Sequence, residues 1–282
     1  MTPRAGQLQA QTPAGSVLLR WVEWGPADGR PVLCVHGLTR NGRDFDALAM
    51  ALAEQGRRVV CPDIPGRGAS GWLPGPTAYA VPTYLAALAP LLEGLGEVDW
   101  VGTSMGGLIA MGQCTVPGAR IRRLVLNDVG PYLSAEATMR LRDHLRAAPA
   151  DFADMAAYEA HLRRANAGFG SLTDAQWAAM ARHGARMTPG GRVVAHFDPA
   201  ILVPLMKPVL ADVDLWPLWP MVAKRPVLVL RGAHSDLLAP EVAARMAQSP
   251  GVRLETIPEC GHAPSLMDST HVALVAGFLA RA

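Results

Sequence analysis

The feature that most constrains this chain is a run of small residues, Gly102-Thr103-Ser104-Met105-Gly106-Gly107. It is wedged between the strand-like Val98-Asp99-Trp100-Val101 and the helix-forming Leu108-Ile109-Ala110-Met111-Gly112. A strand that turns into a helix within so few residues leaves no room for side chains beside the serine, which accounts for glycine at 102 and 106. The turn lifts the Ser104 hydroxyl to its tip, and the helix that follows aims unpaired N–H groups and the positive end of its dipole at the same point. Negative charge developing on a substrate oxygen would be stabilised there. The same five-residue pattern also occurs in plain Gly/Ser turns, so the neighbouring segments decide between the two readings.

Upstream, the apolar run Pro31-Val32-Leu33-Cys34-Val35 stops at His36-Gly37-Leu38, and Asn41-Gly42-Arg43-Asp44 leads into a helical stretch. This reads as strand, loop and helix start. A backbone N–H from that loop, that of Leu38, can pair with the N–H of Met105 to hold an oxyanion. His36 itself reads as a structural hydrogen-bonding residue rather than a base. Downstream, the buried-type strand Arg225 to Gly232 leads to Asp236 in the following loop, and the alternating Val252 to Ile257 leads to His262. A neutral hydroxyl is a poor nucleophile; His262 would take its proton, and Asp236 would orient the imidazole. Asp128, directly after the strand at 121–127, is the rival acid. Asp63 reads as a turn residue that ties down backbone N–H groups.

Taken in order, the His36-Gly37 loop, Asp63-Ile64-Pro65-Gly66-Arg67-Gly68-Ala69-Ser70, the Ser104 turn, Asn127-Asp128-Val129-Gly130-Pro131, the Asp236 loop and Gly261-His262 resemble the α/β-hydrolase superfamily. Within it, the chain is similar to the serine esterase-like branch with a helical cap. The likeness runs over nearly the whole length. It implies an α/β-hydrolase fold: a mostly parallel sheet with helices on both faces and an inserted helical cap. It also implies the Ser, Asp, His order of catalytic groups, with Ser104, Asp236 and His262 in those roles. Serine at the turn argues against the branches that the resemblance says use a carboxylate nucleophile. The fold carries many chemistries, so it does not name a substrate.

The alternation of segments agrees with this reading. Strands are expected near 32–35, 58–62, 98–101, 121–127, 226–230 and 252–257, with helices between them and an edge strand or hairpin from Val17 to Trp24. Between about Tyr132 and Trp219 that alternation is interrupted by helical patches rich in Ala, Arg and Met. A stretch of that length inside a compact domain needs structure of its own, and a lid over the strand ends is its natural place. The expected division is therefore a hydrolase core of residues 1–131 and 220–282 with a cap of residues 132–219. Phe169 and Trp177 are candidate pocket-lining residues beneath it, with Tyr158, Met180, Phe197 and Met206.

Composition bounds the partners. A chain of 282 residues, 50% hydrophobic and 18% charged, can bury a large core as one domain. The 26 basic and 24 acidic residues are interspersed, which argues against a nucleic-acid partner. The polar stretch Met1 to Gln11 has no apolar centre, so neither a signal peptide nor a membrane span is expected. Cys34, Cys61, Cys114 and Cys260 show no metal spacing and no disulfide framework, and read as reduced thiols of a cytoplasmic protein. The histidines are dispersed and no phosphate-cradling loop is present, so neither metal nor organic cofactor is expected. The expected activity is serine-dependent hydrolysis of small to medium carboxylic esters through an acyl-enzyme. The alternatives are a carbon–carbon bond hydrolase of the meta-cleavage type, with Arg40 holding a substrate carboxylate, and a ligand-binding receptor that retains the triad.

Overall fold

The computed structural model describes residues 1–207 and 211–281. The chain begins with a hairpin, β1 (Arg4–Thr12) and β2 (Gly15–Trp24). It then alternates through β3 (Pro31–Val35), α1 (Asp46–Glu54), β4 (Arg58–Asp63), α2 (Val81–Leu95), β5 (Val98–Thr103), α3 (Met105–Gln113) and β6 (Ile121–Asn127). The next segment holds β7 (Tyr132–Leu133), α4 (Ala135–Arg146), α5 (Met155–Ala165), α6 (Asp174–Gly184), β8 (Ala185–Met187), β9 (Val193–Ala195) and β10 (Val213–Asp214). The alternation resumes with α7 (Trp219–Val222), β11 (Val227–Gly232), α8 (Pro240–Met246), β12 (Val252–Ile257) and α9 (Ser269–Ala280).

Eight strands form one sheet in the order β1-β2-β4-β3-β5-β6-β11-β12. All pairs from β4 to β12 are parallel; β2 runs antiparallel to both β1 and β4. Successive side chains of a strand point to opposite faces, so an apolar run buried on both sides supplies two cores at once. Val32 and Cys34 of β3, Val101 of β5 and Leu228 and Leu230 of β11 pack toward α1 and α9. Leu33, Val35, Trp100 and Val229 pack on the other face, with α2, α3 and α8. The expected edge hairpin is present, and its outer strand is β1, which lies within the N-terminal stretch read only as polar.

The segment between β6 and β11 is stabilised by local means. Ser134, Asp154 and Thr173 cap α4, α5 and α6 with their side chains, and Thr173 forms a reciprocal capping box with Gln176. A separate apolar cluster of Phe152, Tyr158, Leu162, Trp177, Met180, Ala181 and Val193 sits within it. Among the described residues no helix is long and apolar enough to cross a membrane.

Candidate active site

The turn after β5 has the geometry its sequence demands. Ser104 adopts φ 51° and ψ −115°, outside the regions open to most side chains, a conformation costing about 1–3 kcal/mol. A Cβ on Gly102 would lie 2.5 Å from the Gly106 carbonyl oxygen, and one on Gly106 would lie 2.0 Å from that of Val35. Glycine at both positions is thus a requirement of backbone packing. The Ser104 N–H donates to the Asn127 carbonyl at 3.0 Å, which locks the turn onto the end of the adjacent β6.

His262 Nε2 lies 3.0 Å from Ser104 Oγ, and its Nδ1 lies 2.7 Å from Asp128 Oδ2. An ionised carboxylate only accepts, so Nδ1 carries the proton and Nε2 keeps a lone pair toward the serine hydroxyl. Asp128 is fully buried, with φ 56°. Its Oδ1 accepts the Gly232 N–H at 2.9 Å, and its Oδ2 also accepts the Ser235 hydroxyl at 2.5 Å. Three donors converge on one carboxylate, which keeps it aimed at the imidazole. A line of hydroxyl, imidazole and fixed carboxylate can pass a proton from serine to histidine.

Asp236 does not stand in that line. It is exposed, and its backbone carbonyl accepts from Arg140. The expected pairing of Asp236 with His262 is therefore corrected to Asp128. Local geometry supplies the reason: Asp128 is buried with a left-handed backbone, and the Gly232 and Ser235 donors hold its carboxylate toward the imidazole, whereas Asp236 is exposed. In the β11 loop it is Ser235, not Asp236, that reaches the site, and it does so by bonding Asp128.

The His36-Gly37-Leu38 loop packs beside the serine; a Cβ on Gly37 would lie 3.8 Å from that of Ser104. His36 is fully buried; it donates from Nδ1 to the Gly37 carbonyl and accepts the Ile64 N–H at Nε2. Burial pushes its pKa down to about 3, which keeps it neutral and structural. Met105 is the first residue of α3, where helix N–H groups have no intrahelical acceptor. Asp63 ties down its turn, accepting the N–H groups of Gly42 and Ala69.

Arg67 is a residue that the sequence did not single out. Its side chain is fully buried, and it donates to the Leu38 carbonyl at 2.8 Å and to both the Pro65 carbonyl and the Tyr84 hydroxyl at 2.8 Å. Its last nitrogen lies 3.5 Å from Met105 Sδ. One guanidinium thus braces both residues expected to face an oxyanion. The only sequence signal was a cation between two glycines directly after a buried strand.

Of the expected pocket residues, Arg40 is engaged elsewhere: two of its nitrogens bond the Asp44 carboxylate at 2.7 Å. Trp177 is part of the apolar cluster inside the inserted segment, with Arg163 over its ring. Phe169 borders a void of only about 30 Å³ beside Gly37 and Ala263. Its backbone does more, because the carbonyls of Gly168 and Phe169 accept the N–H groups of Gly261 and Ser265 and so hold the His262 loop from both sides. Tyr158 and Phe197 do line a cavity, of about 360 Å³. Burial pushes the Cys260 thiol up to about 11, which makes this neighbour of His262 a poor nucleophile.

Residues 32–277 match the model of the alpha/beta hydrolase family. The chain belongs to that family. This α/β hydrolase is 40% identical over 290 residues to a 3-hydroxybutyrate-oligomer hydrolase of Cupriavidus necator, covering 98% of each chain. The solved structure of an alpha/beta hydrolase from Novosphingobium aromaticivorans is 36% identical at a TM-score of 0.87, covering all of both chains. The structure of E-2-(acetamidomethylene)succinate hydrolase, 23% identical at a TM-score of 0.83 over 99% of this chain and 100% of that one, shares the fold.

Proposed function

We propose that this hydrolase cleaves carboxylic esters through an acyl-enzyme on Ser104, and that its substrates are short oligoesters of small hydroxy acids. The observation that carries the reaction is the hydrogen-bonded line from Ser104 through His262 to Asp128. Ser104 Oγ attacks the ester carbonyl as His262 Nε2 takes its proton. The oxyanion is held by the N–H groups of Leu38 and Met105, and Arg67 keeps that pair in register. Collapse of the intermediate expels the alcohol, which leaves with the proton from His262. Water then gives a proton to His262, attacks the acyl-enzyme and releases the acid and free Ser104. Residues 132–219 act as a cap over the strand ends. The substrate class is supported by the Cupriavidus necator relative, matched end to end. The carbon–carbon bond alternative relies on Arg40, whose charge is already taken by Asp44.

Ser104→Ala tests the reading. The variant folds like the parent and loses ester hydrolysis by about 10³-fold or more, and an organophosphonate labels the parent on the peptide that carries Ser104. Near-parental turnover in the variant, or a label elsewhere, removes Ser104 from the mechanism.

A further inference from the structure

We propose that the cavity beside the Leu38 loop receives the carboxylate end of the substrate, with Arg186 as its counter-ion; the substrate class rests on the ester-hydrolase reading above. The cavity, of about 360 Å³, begins at Thr39 and Arg40, next in the chain to Leu38, and is walled by α4, α5 and the β8–β9 pair. Its wall is tied to the Arg67 turn that braces the Leu38 loop. Phe197 bridges to Arg67 through the backbone, and Gly68 donates to the His196 carbonyl at 2.9 Å.

The chemistry of the lining is one-sided. Among the described residues no Asp or Glu contributes to it, while two arginines do. Arg40 is neutralised by Asp44. Arg186 has no carboxylate within ion-pair distance among the described residues, and its Nε is shut off from solvent with no acceptor. Its guanidinium lies over the Trp72 ring, 5.6 Å from the centroid, so part of its surface is covered by an aromatic that cannot balance its charge. A cation that lines a cavity without a counter-charge carries a cost that an anionic ligand relieves. His161 adds polarity without a second charge, because burial, together with Arg164 and His144, holds its pKa below the usual range.

The neighbouring cleft offers an anion less. This cleft, of about 420 Å³, reaches His262, shares His144 and Ala165 with the cavity, and is lined by Asp236, Glu259 and an arginine, Arg140, whose guanidinium is paired with Glu136 and donates to the Asp236 carbonyl. A hydroxy-acid oligomer has a hydroxyl at one end and a carboxylate at the other. The two compartments therefore orient it, with the carboxylate end toward Arg186. In such a chain the carboxylate end lies on the alcohol side of every ester bond. Each turnover leaves the hydroxyl-end fragment on Ser104 and releases the carboxylate-end fragment first.

The test compares the linear dimer of 3-hydroxybutyrate as the free acid with the same dimer carrying a terminal carboxamide. The parent prefers the acid in kcat/KM by about 10- to 100-fold, the range of one charge-assisted hydrogen-bonded contact. Arg186→Gln abolishes that preference by lowering the acid alone, and it leaves the carboxamide dimer and p-nitrophenyl acetate unchanged. An equal fall on all three substrates, or a preserved preference, overturns the assignment. If Arg186→Gln does not fold, Arg186→Lys decides: a retained acid preference supports the subsite and a lost one refutes it. Binding of both dimers to Ser104→Ala separates the two proposals, because it needs no turnover. Tighter binding of the acid upholds the subsite even if Ser104 proves not to be the nucleophile, and equal binding sinks it even if ester hydrolysis is confirmed.

Discussion

The carboxyl ends of β5, β6 and β11 are bonded directly to one another, whereas the described part of residues 132–219 is held by short strand pairs, capped helices and an apolar cluster of its own. Ser104 N–H bonds the Asn127 carbonyl, Asp128 N–H bonds the Leu230 carbonyl, and the Gly232 N–H bonds the Asp128 carboxylate, so neighbouring strand ends are stitched to one another. Asn127 extends the stitching to the other loop by donating from Nδ2 to the Pro264 carbonyl. The inserted segment adds to its short β7–β10 and β8–β9 pairs three capping side chains, surface ion pairs such as Arg163 with Glu159, and a small cluster around Trp177. Groups that share a proton must hold their geometry to within a fraction of an ångström, and bonds that have a backbone group on at least one side leave little rotamer freedom. A segment that selects ligands can be built more loosely. The difference teaches where a substitution should be felt: in kcat at the strand ends, in stability or selectivity within the insertion.

Two substitutions probe that division, the larger effect first. Arg67→Met removes the brace on Leu38 and Met105, and kcat falls about 10-fold or more with KM little changed, because a misplaced oxyanion donor weakens the transition state more than the ground state. Arg67→Lys restores part of kcat. Parental kcat in a folded Arg67→Met protein would mean that the loop holds its shape unaided. Trp177→Ala is expected to act on stability alone: about 3–5 kcal/mol is lost in denaturant unfolding, as for a large aromatic removed from a packed core, while the kcat/KM ratio for short and long esters is unchanged. A shifted ratio at parental stability would turn Trp177 from packing into pocket and blur the comparison.

The doubly buried strands and the helices between them were legible because their apolar runs are continuous and are punctuated by glycine or proline. The helices of the insertion were legible as patches rich in Ala, Arg and Met. Strand β1 was not, since Arg4–Thr12 is largely exposed at the sheet edge and buries only Ala10 fully. Ser104 and His262 could be picked out because tight turns leave glycines beside them. The carboxylate could not be ranked in the same way. Asp128 and Asp236 both follow parallel strands, and which of them meets His262 depends on a left-handed backbone at Asp128 and on the Gly232 and Ser235 donors that hold its carboxylate, neither of which appears in a list of residues. The anchors of Arg40 and Arg67 were equally hidden, because a buried arginine and a surface one look alike in sequence.

The account's central claim is that the acid stands at the end of β6, and the kcat of Asp128→Asn set against that of Asp236→Asn on one small ester tests it most directly. Asp128→Asn is predicted to lose about 10²- to 10⁴-fold in kcat with little change in KM, because the amide favours the wrong imidazole tautomer. Asp236→Asn, which alters an exposed side chain outside the hydrogen-bonded line, is predicted to lose no more than about threefold, both proteins melting near the parent. The reverse ranking, with Asp236→Asn crippled and Asp128→Asn nearly intact, would contradict it.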